Sequence, residues 1–146
     1  MKKIIIINGP NLNLLGKREN KIYGNHSLDD IKKQADAKCE ELNLKCFFCQ
    51  SNNEGELISF IHSADKKYDG LIINPAAFTH TSVALLDALR SISKPKIEIH
   101  LSNIYTREEY RKKSITSEGV DGLICGFGSL SYILAIEAIN KLIYTE

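Results

Sequence analysis

The chain has 146 residues, 43% hydrophobic and 25% charged, with 19 Lys and Arg against 18 Asp and Glu. One domain over residues 1–146 is expected, burying roughly 70% of the unfolded surface. A net charge of +1 excludes a global field for nucleic acid or anionic membrane. No apolar run approaches the roughly 18 residues of a spanning helix, and the four isoleucines after Met1-Lys2-Lys3 are too few for a signal peptide. A cytoplasmic location is therefore expected.

Taken in order, the first element is the Ile4–Ile7 run, which reads as a strand over Lys3–Asn8 buried on both faces. It empties into Asn8-Gly9-Pro10-Asn11, a tight turn at the carboxyl edge of a sheet, where open α/β folds hold ligands. The following loop, through Arg18 to Tyr23-Gly24, is a candidate lid. Ser27-Leu28-Asp29-Asp30 resembles a capping box and starts a helix running to about Leu42. Further strands are expected at Lys45–Gln50, Gly70–Asn74, Lys96–His100 and Gly122–Gly126. Leu57, Ile58, Ile61 and Ala64 mark a second helix. Thr79 is expected to cap a third, with His80 and Asp87 on one face. A fourth runs from about Ser129 to Tyr144, wet only along Glu137, Asn140 and Lys141. Strands alternating with helices imply α/β architecture with a parallel sheet and helices on both faces. With five strands, the flavodoxin-like order 2-1-3-4-5 is expected, with a switch point between strands 1 and 3.

Cys46 and Cys49 form a C-x-x-C spacing, but within a strand a separation of three puts them on opposite faces. Together with Cys39 and Cys125 they read as buried free thiols. The strand ends carry more chemistry. Strand 1 ends in Asn8-Gly9-Pro10-Asn11, strand 3 in Asn74-Pro75 before Thr79-His80-Thr81-Ser82, and strand 4 in Glu98-Ile99-His100-Leu101-Ser102-Asn103. His100 stands out because it terminates a buried strand. His26 and His62 read as surface residues. P-loop, G-x-S-x-G and H-E-x-x-H patterns are missing, and Gly126-Phe127-Gly128 reads as a strand-to-helix turn. A Ser-His hydrolase would need Ser82 or Ser102 beside His100, with Glu98 as the acid. A non-catalytic flavodoxin-like module is a rival, but the loop after strand 1 has neither the hydroxyls of a flavin carrier nor the acids of a receiver.

The stretch Asn8 to Glu19 (NGPNLNLLGKRE), Ile22-Tyr23-Gly24, Ile73-Asn74-Pro75, Thr79-His80-Thr81-Ser82, Glu98 to Asn103, Arg107-Glu108 and Arg111 resembles the type II 3-dehydroquinate dehydratases over nearly the whole chain. Asn20 departs from the pattern, where the family usually has proline. The resemblance implies elimination of water from 3-dehydroquinate through an enolate, with no metal or organic cofactor. It implies Tyr23 as base, His100 as acid oriented by Glu98, Arg18 lowering the tyrosine pKa, and Asn11 holding a water near the enolate. For substrate binding it implies Asn74, His80, Leu101, Ser102 and Arg111, with Asp87 reaching a neighbouring subunit in a dodecamer of trimers. The pairing of Arg18 with Tyr23 is energetically sufficient. A cation about 4 Å away at an effective dielectric near 20 is worth up to roughly 4 kcal/mol, and each pKa unit requires about 1.36 kcal/mol. A catalytically dead scaffold is the remaining alternative, opposed by intact Arg18, Tyr23 and His100.

Overall fold

Consecutive β-branched side chains favour extended backbone, and the isoleucine run is part of β1 (Lys2–Asn8). The computed structural model describes residues 1–17, 20–23 and 25–145, and only the backbone at Asn20 and Tyr23. β1 pairs in parallel with β2 (Leu44–Gln50) and β3 (Gly70–Asn74), and the sheet continues through β4 (Lys96–His100) and β5 (Gly122–Cys125). The order is β2-β1-β3-β4-β5, the expected flavodoxin-like arrangement. Around it lie α1 (Asn20–Tyr23), α2 (Leu28–Glu41), α3 (Glu54–Lys67), α4 (Val83–Ser91) and α5 (Leu130–Ile143).

The isoleucines are needed because β1 is covered on both sides. Ile4 and Ile6 join a core with Ile31 and Ala35 of α2 and Tyr132 and Ile136 of α5. Ile5 and Ile7 point the other way, to Leu57 and Ile61 of α3 and Leu85 and Leu89 of α4. The same alternation separates Cys46, against the first core, from Cys49, against the second. All four cysteines are free, although only Cys39 is fully buried and the others are half-buried. Burial pushes the Cys49 thiol up to about 12, so it stays protonated and unreactive at neutral pH.

Local signals set the helix starts. The Ser27 hydroxyl accepts from the Asp30 amide while the Asp30 carboxylate accepts from the Ser27 amide, a complete capping box. Thr79 proves not to be a cap. It lies inside a 3₁₀ segment, Ala76–His80, and Ser82 caps α4 by accepting from Leu85 N. The chain is extended at Ser82 (φ −93°, ψ 97°), so His80 and Asp87 do not share a helix face. α5 also differs from expectation: Leu130, Leu134 and Leu142 are exposed as well as Glu137 and Lys141, while Asn140 is half-buried.

Two features bring the strand ends together. Asn8 and Asn74 are register partners, so β1 and β3 finish side by side. Gly9 N then donates to Asn74 O at 2.8 Å, and a Cβ at Gly9 would lie 2.5 Å from Pro75 O. Only glycine permits that approach.

Candidate active site

A cavity opens at the carboxyl ends of β1, β3 and β4. Its lining includes Asn11, Asn74, His80, His100, Leu101, Ser102 and Arg111, seven residues expected from the sequence. Asn11 adopts left-handed backbone (φ 67°), which asparagine tolerates better than most residues. Its amide donates to Asn52 Oδ1 at 3.0 Å, and Gln50 Nε2 braces the same loop through Gly9 O and Asn52 Oδ1, each at 3.1 Å. Ala76, also lining the cavity, holds φ 53° without the excuse of being glycine. The side-chain Oδ1 of Asn74 accepts from the Ala76 amide at 3.1 Å. Strained backbone of this kind persists where surrounding bonds over-determine it.

His100 and Glu98 form the charged centre. His100 Nε2 lies 2.7 Å from Glu98 Oε2, with Glu98 wholly buried and His100 nearly so. A carboxylate only accepts, so Nε2 carries the proton of that bond and Nδ1 is left for other chemistry. Glu98 has further donors: Thr116 Oγ1 to Oε1 at 2.5 Å, Ser114 Oγ to Oε2 at 2.7 Å, and Thr79 Oγ1 to Oε2 at 3.0 Å. Burial is the largest single influence and pushes this carboxyl up. The hydrogen bond and charge of His100, with the Thr116 and Ser114 hydroxyls, outweigh it and hold Glu98 below the ordinary carboxylate range.

His80 is anchored differently. Its Nδ1 lies 2.7 Å from the Lys113 carbonyl, so that nitrogen donates. Burial lowers its pKa, partly opposed by that hydrogen bond, while nearby His100, Arg111 and Arg107 push the same way as burial. Arg111 is steered by Glu108, whose Oε2 accepts from Nε at 2.5 Å, and its guanidinium lies 5.3 Å from the Tyr110 ring centre. Ser102 Oγ accepts from Arg107 Nη1 at 3.5 Å.

Glu98 lies behind His100 without lining the cavity itself. Arg18 and the Tyr23 side chain lie outside the described residues. A second cavity shares Leu101, Ser102 and Arg107 with the first and is lined by Lys21 and Ile22 of α1, so the backbone leading to Tyr23 flanks the site. Asp87 is exposed on α4 and does not line the cavity of its own chain. Conversely, Thr79, Ser114 and Thr116 around Glu98, and the Gln50–Asn52 brace, had no site role assigned from sequence. Ser114-Ile115-Thr116 follows a basic run and has no local signature. The Gly126 and Gly128 amides donate to the His100 and Leu101 carbonyls at 3.3 and 2.9 Å, which makes this segment a turn and not a phosphate loop.

The family model for dehydroquinase class II matches residues 2–140. The chain belongs to the class II dehydroquinases. It is 55% identical over 144 residues to the 3-dehydroquinate dehydratase of Clostridium botulinum (strain Okra / Type B1), covering 98% of each chain. Its fold matches the type II dehydroquinase of Butyrivibrio crossotus DSM 2876 with a TM-score of 0.93 at 45% identity, covering 95% of this chain and 97% of that one. The corresponding enzyme of Propionibacterium acnes matches with a TM-score of 0.93 at 39% identity, covering 97% of each.

For this class II dehydroquinase the two lowered pKa values predict acid lability in two stages. Between the native His80 value and its ordinary 6.5, the unfolded chain binds more protons, so stability falls as pH drops below 6.5. Glu98 adds stability that is present above its ordinary 4.5 and is lost as pH falls through its depressed native value. Urea midpoints measured from pH 7 to 3 should fall in this sequence, and His80→Asn should remove the upper limb alone. A midpoint that rises on acidification would contradict both assignments.

Proposed function

We propose that the chain converts 3-dehydroquinate to 3-dehydroshikimate by eliminating water through an enolate, as a lyase of the shikimate pathway, and that one catalytic domain spans residues 1–146. The observation that carries this reading is that His100, paired with the buried Glu98 behind it, lines one cavity with Asn11, Asn74, His80 and Arg111. Loss of a proton beside a ketone, followed by departure of hydroxide, needs a base, an acid, support for the enolate oxygen and an anchor for the substrate carboxylate. Tyr23 takes the proton, its phenolate favoured by Arg18. Asn11 holds the water that faces the enolate oxygen.

His100 then delivers a proton from Nδ1 to the departing hydroxyl. Glu98 stabilises the imidazolium before transfer and keeps the ring from turning. Leu101, Ser102 and Asn74 hold the carboxylate, while His80 and Arg111 hold the ring hydroxyls. Continuous monitoring of the conjugated product by ultraviolet absorbance tests the activity, and a flat trace with 3-dehydroquinate would refute it. No lysine lines the cavity among the described residues, which supports elimination without an imine. Activity should therefore survive borohydride treatment in the presence of substrate. Substrate-dependent inactivation, with label on any lysine, would overturn the enolate route.

The assembly we propose is a dodecamer of trimers in which Asp87 serves a neighbouring subunit. Val83 is 57% exposed one turn before Asp87 on α4, and Phe127 and, on α5, Leu130 and Leu134 are exposed apolar side chains as well. Such surfaces on one chain favour burial against further copies in closed symmetry. Sedimentation should give a single large species, and Asp87→Ala should weaken substrate binding without dissociating it. A fully active monomer would exclude the role given to Asp87.

A further inference from the structure

Tyr132 of α5 is wholly buried, yet its hydroxyl sits between asparagines of two strands. It donates to Asn8 Oδ1 at 2.6 Å and accepts from Asn74 Nδ2 at 3.1 Å. The direction of each bond follows from the two ends of the chain they form. At one end Asn8 Nδ2 donates to the Cys49 carbonyl at 2.9 Å. A carbonyl can only accept, so the Asn8 amide must turn its nitrogen to Cys49 and its oxygen to Tyr132. The single Tyr132 proton is then committed to Asn8. Its lone pairs are left to receive Asn74 Nδ2.

At the other end the Ala76 amide, which can only donate, meets Asn74 Oδ1 at 3.1 Å. That independently requires the Asn74 nitrogen to face Tyr132. Backbone groups of opposite sense thus impose the same orientation from 49 to 76, and a flipped Asn74 would set donor against donor at Ala76. Burial raises the Tyr132 phenol pKa, so the proton stays in place at working pH.

We propose that Tyr132 is a positioning residue that locks the polarity of the Asn74 amide, so that its second N–H points to the cavity and selects substrates carrying an oxygen acceptor there. This rests on the assignment of Asn74 to the substrate site, and it adds a specificity element remote from the cavity. Without the Tyr132 hydroxyl, Asn74 loses one of the two bonds that set its orientation, and its offered N–H becomes one of several states. The affected quantity is binding in ground state and transition state alike, which appears in KM.

The test is steady-state kinetics of the full-length Tyr132→Phe variant with 3-dehydroquinate, beside its thermal midpoint. KM should rise about tenfold, the loss of one hydrogen bond to a charged group, with kcat changed less than about threefold. A purely structural role would lower the midpoint or the active fraction and leave KM alone, and that result would overturn the proposal. Neutron diffraction from deuterated wild-type crystals decides independently of whether the variant folds. It should place the Tyr132 deuteron toward Asn8 and both Asn74 amide deuterons away from Ala76. The reverse order would also overturn the proposal. Wild-type protein inert toward 3-dehydroquinate would instead refute the functional reading, leaving the neutron map to judge the polarity.

Discussion

Replacing Tyr23 with phenylalanine should lower turnover by about 10³–10⁴-fold, toward the upper range for a general base. The substitution removes one oxygen from the last residue of the short helix α1, so the fold should survive. KM should change little, because the lost interaction belongs to the transition state for proton removal. Arg18→Ala should have a related effect with a distinct signature. Losing the cation returns the tyrosine toward its ordinary value near 10, so residual activity should rise at higher pH than in the wild type. A primary isotope effect with substrate deuterated at the reacting carbon would report slower proton removal in both variants. Near-normal turnover by Tyr23→Phe would place the base elsewhere.

Glu98→Gln should lower kcat by about 10²–10⁴-fold while leaving KM close to wild type, since it removes support for the general acid and no substrate contact. The amide is the same shape as the carboxylate and inherits the Thr116, Ser114 and Thr79 hydroxyls, which can turn to accept as well as donate. The charge cannot be inherited. His100 loses the anion 2.7 Å from Nε2, and an amide N–H placed there forces the imidazole proton onto Nδ1 in the neutral form. The imidazolium that donates the proton then lacks its supporting anion, and hydroxide departure slows. Solvent isotope effects should grow in Glu98→Gln, in contrast to the substrate isotope effect expected for Tyr23→Phe. Turnover within tenfold of wild type would remove Glu98 from the mechanism.

Much of this architecture is local in origin and was therefore legible from residues alone. Four consecutive isoleucines require burial on both faces, which places β1 inside the sheet, and five strands alternating with helices point to the order observed. Ser27 and Asp30 announce the start of α2 because both legs of the capping box lie within one turn. His100 could be singled out because a polar residue ending an apolar strand must emerge at the sheet edge. Asn11, Asn74, His80, Leu101, Ser102 and Arg111 were likewise found through strand ends and the family motifs, and they meet in one cavity.

Other features arise only when distant segments pack together. Thr79 reads as a helix cap in sequence, yet its hydroxyl turns to Glu98, 19 residues away, and Ser82 takes the capping role. The break at Ser82 separates His80 from Asp87, which sequence spacing alone would place on one face. Ser114 and Thr116 reach Glu98 across 16 and 18 residues, and Tyr132 reaches Asn8 across 124. Hydrophobic periodicity reports which face of an element is buried, because every turn or alternate residue repeats the signal. A single hydroxyl meeting a single carboxylate repeats nothing along the chain, so the hydrogen bonds that orient Glu98 and Asn74 were decided by tertiary packing.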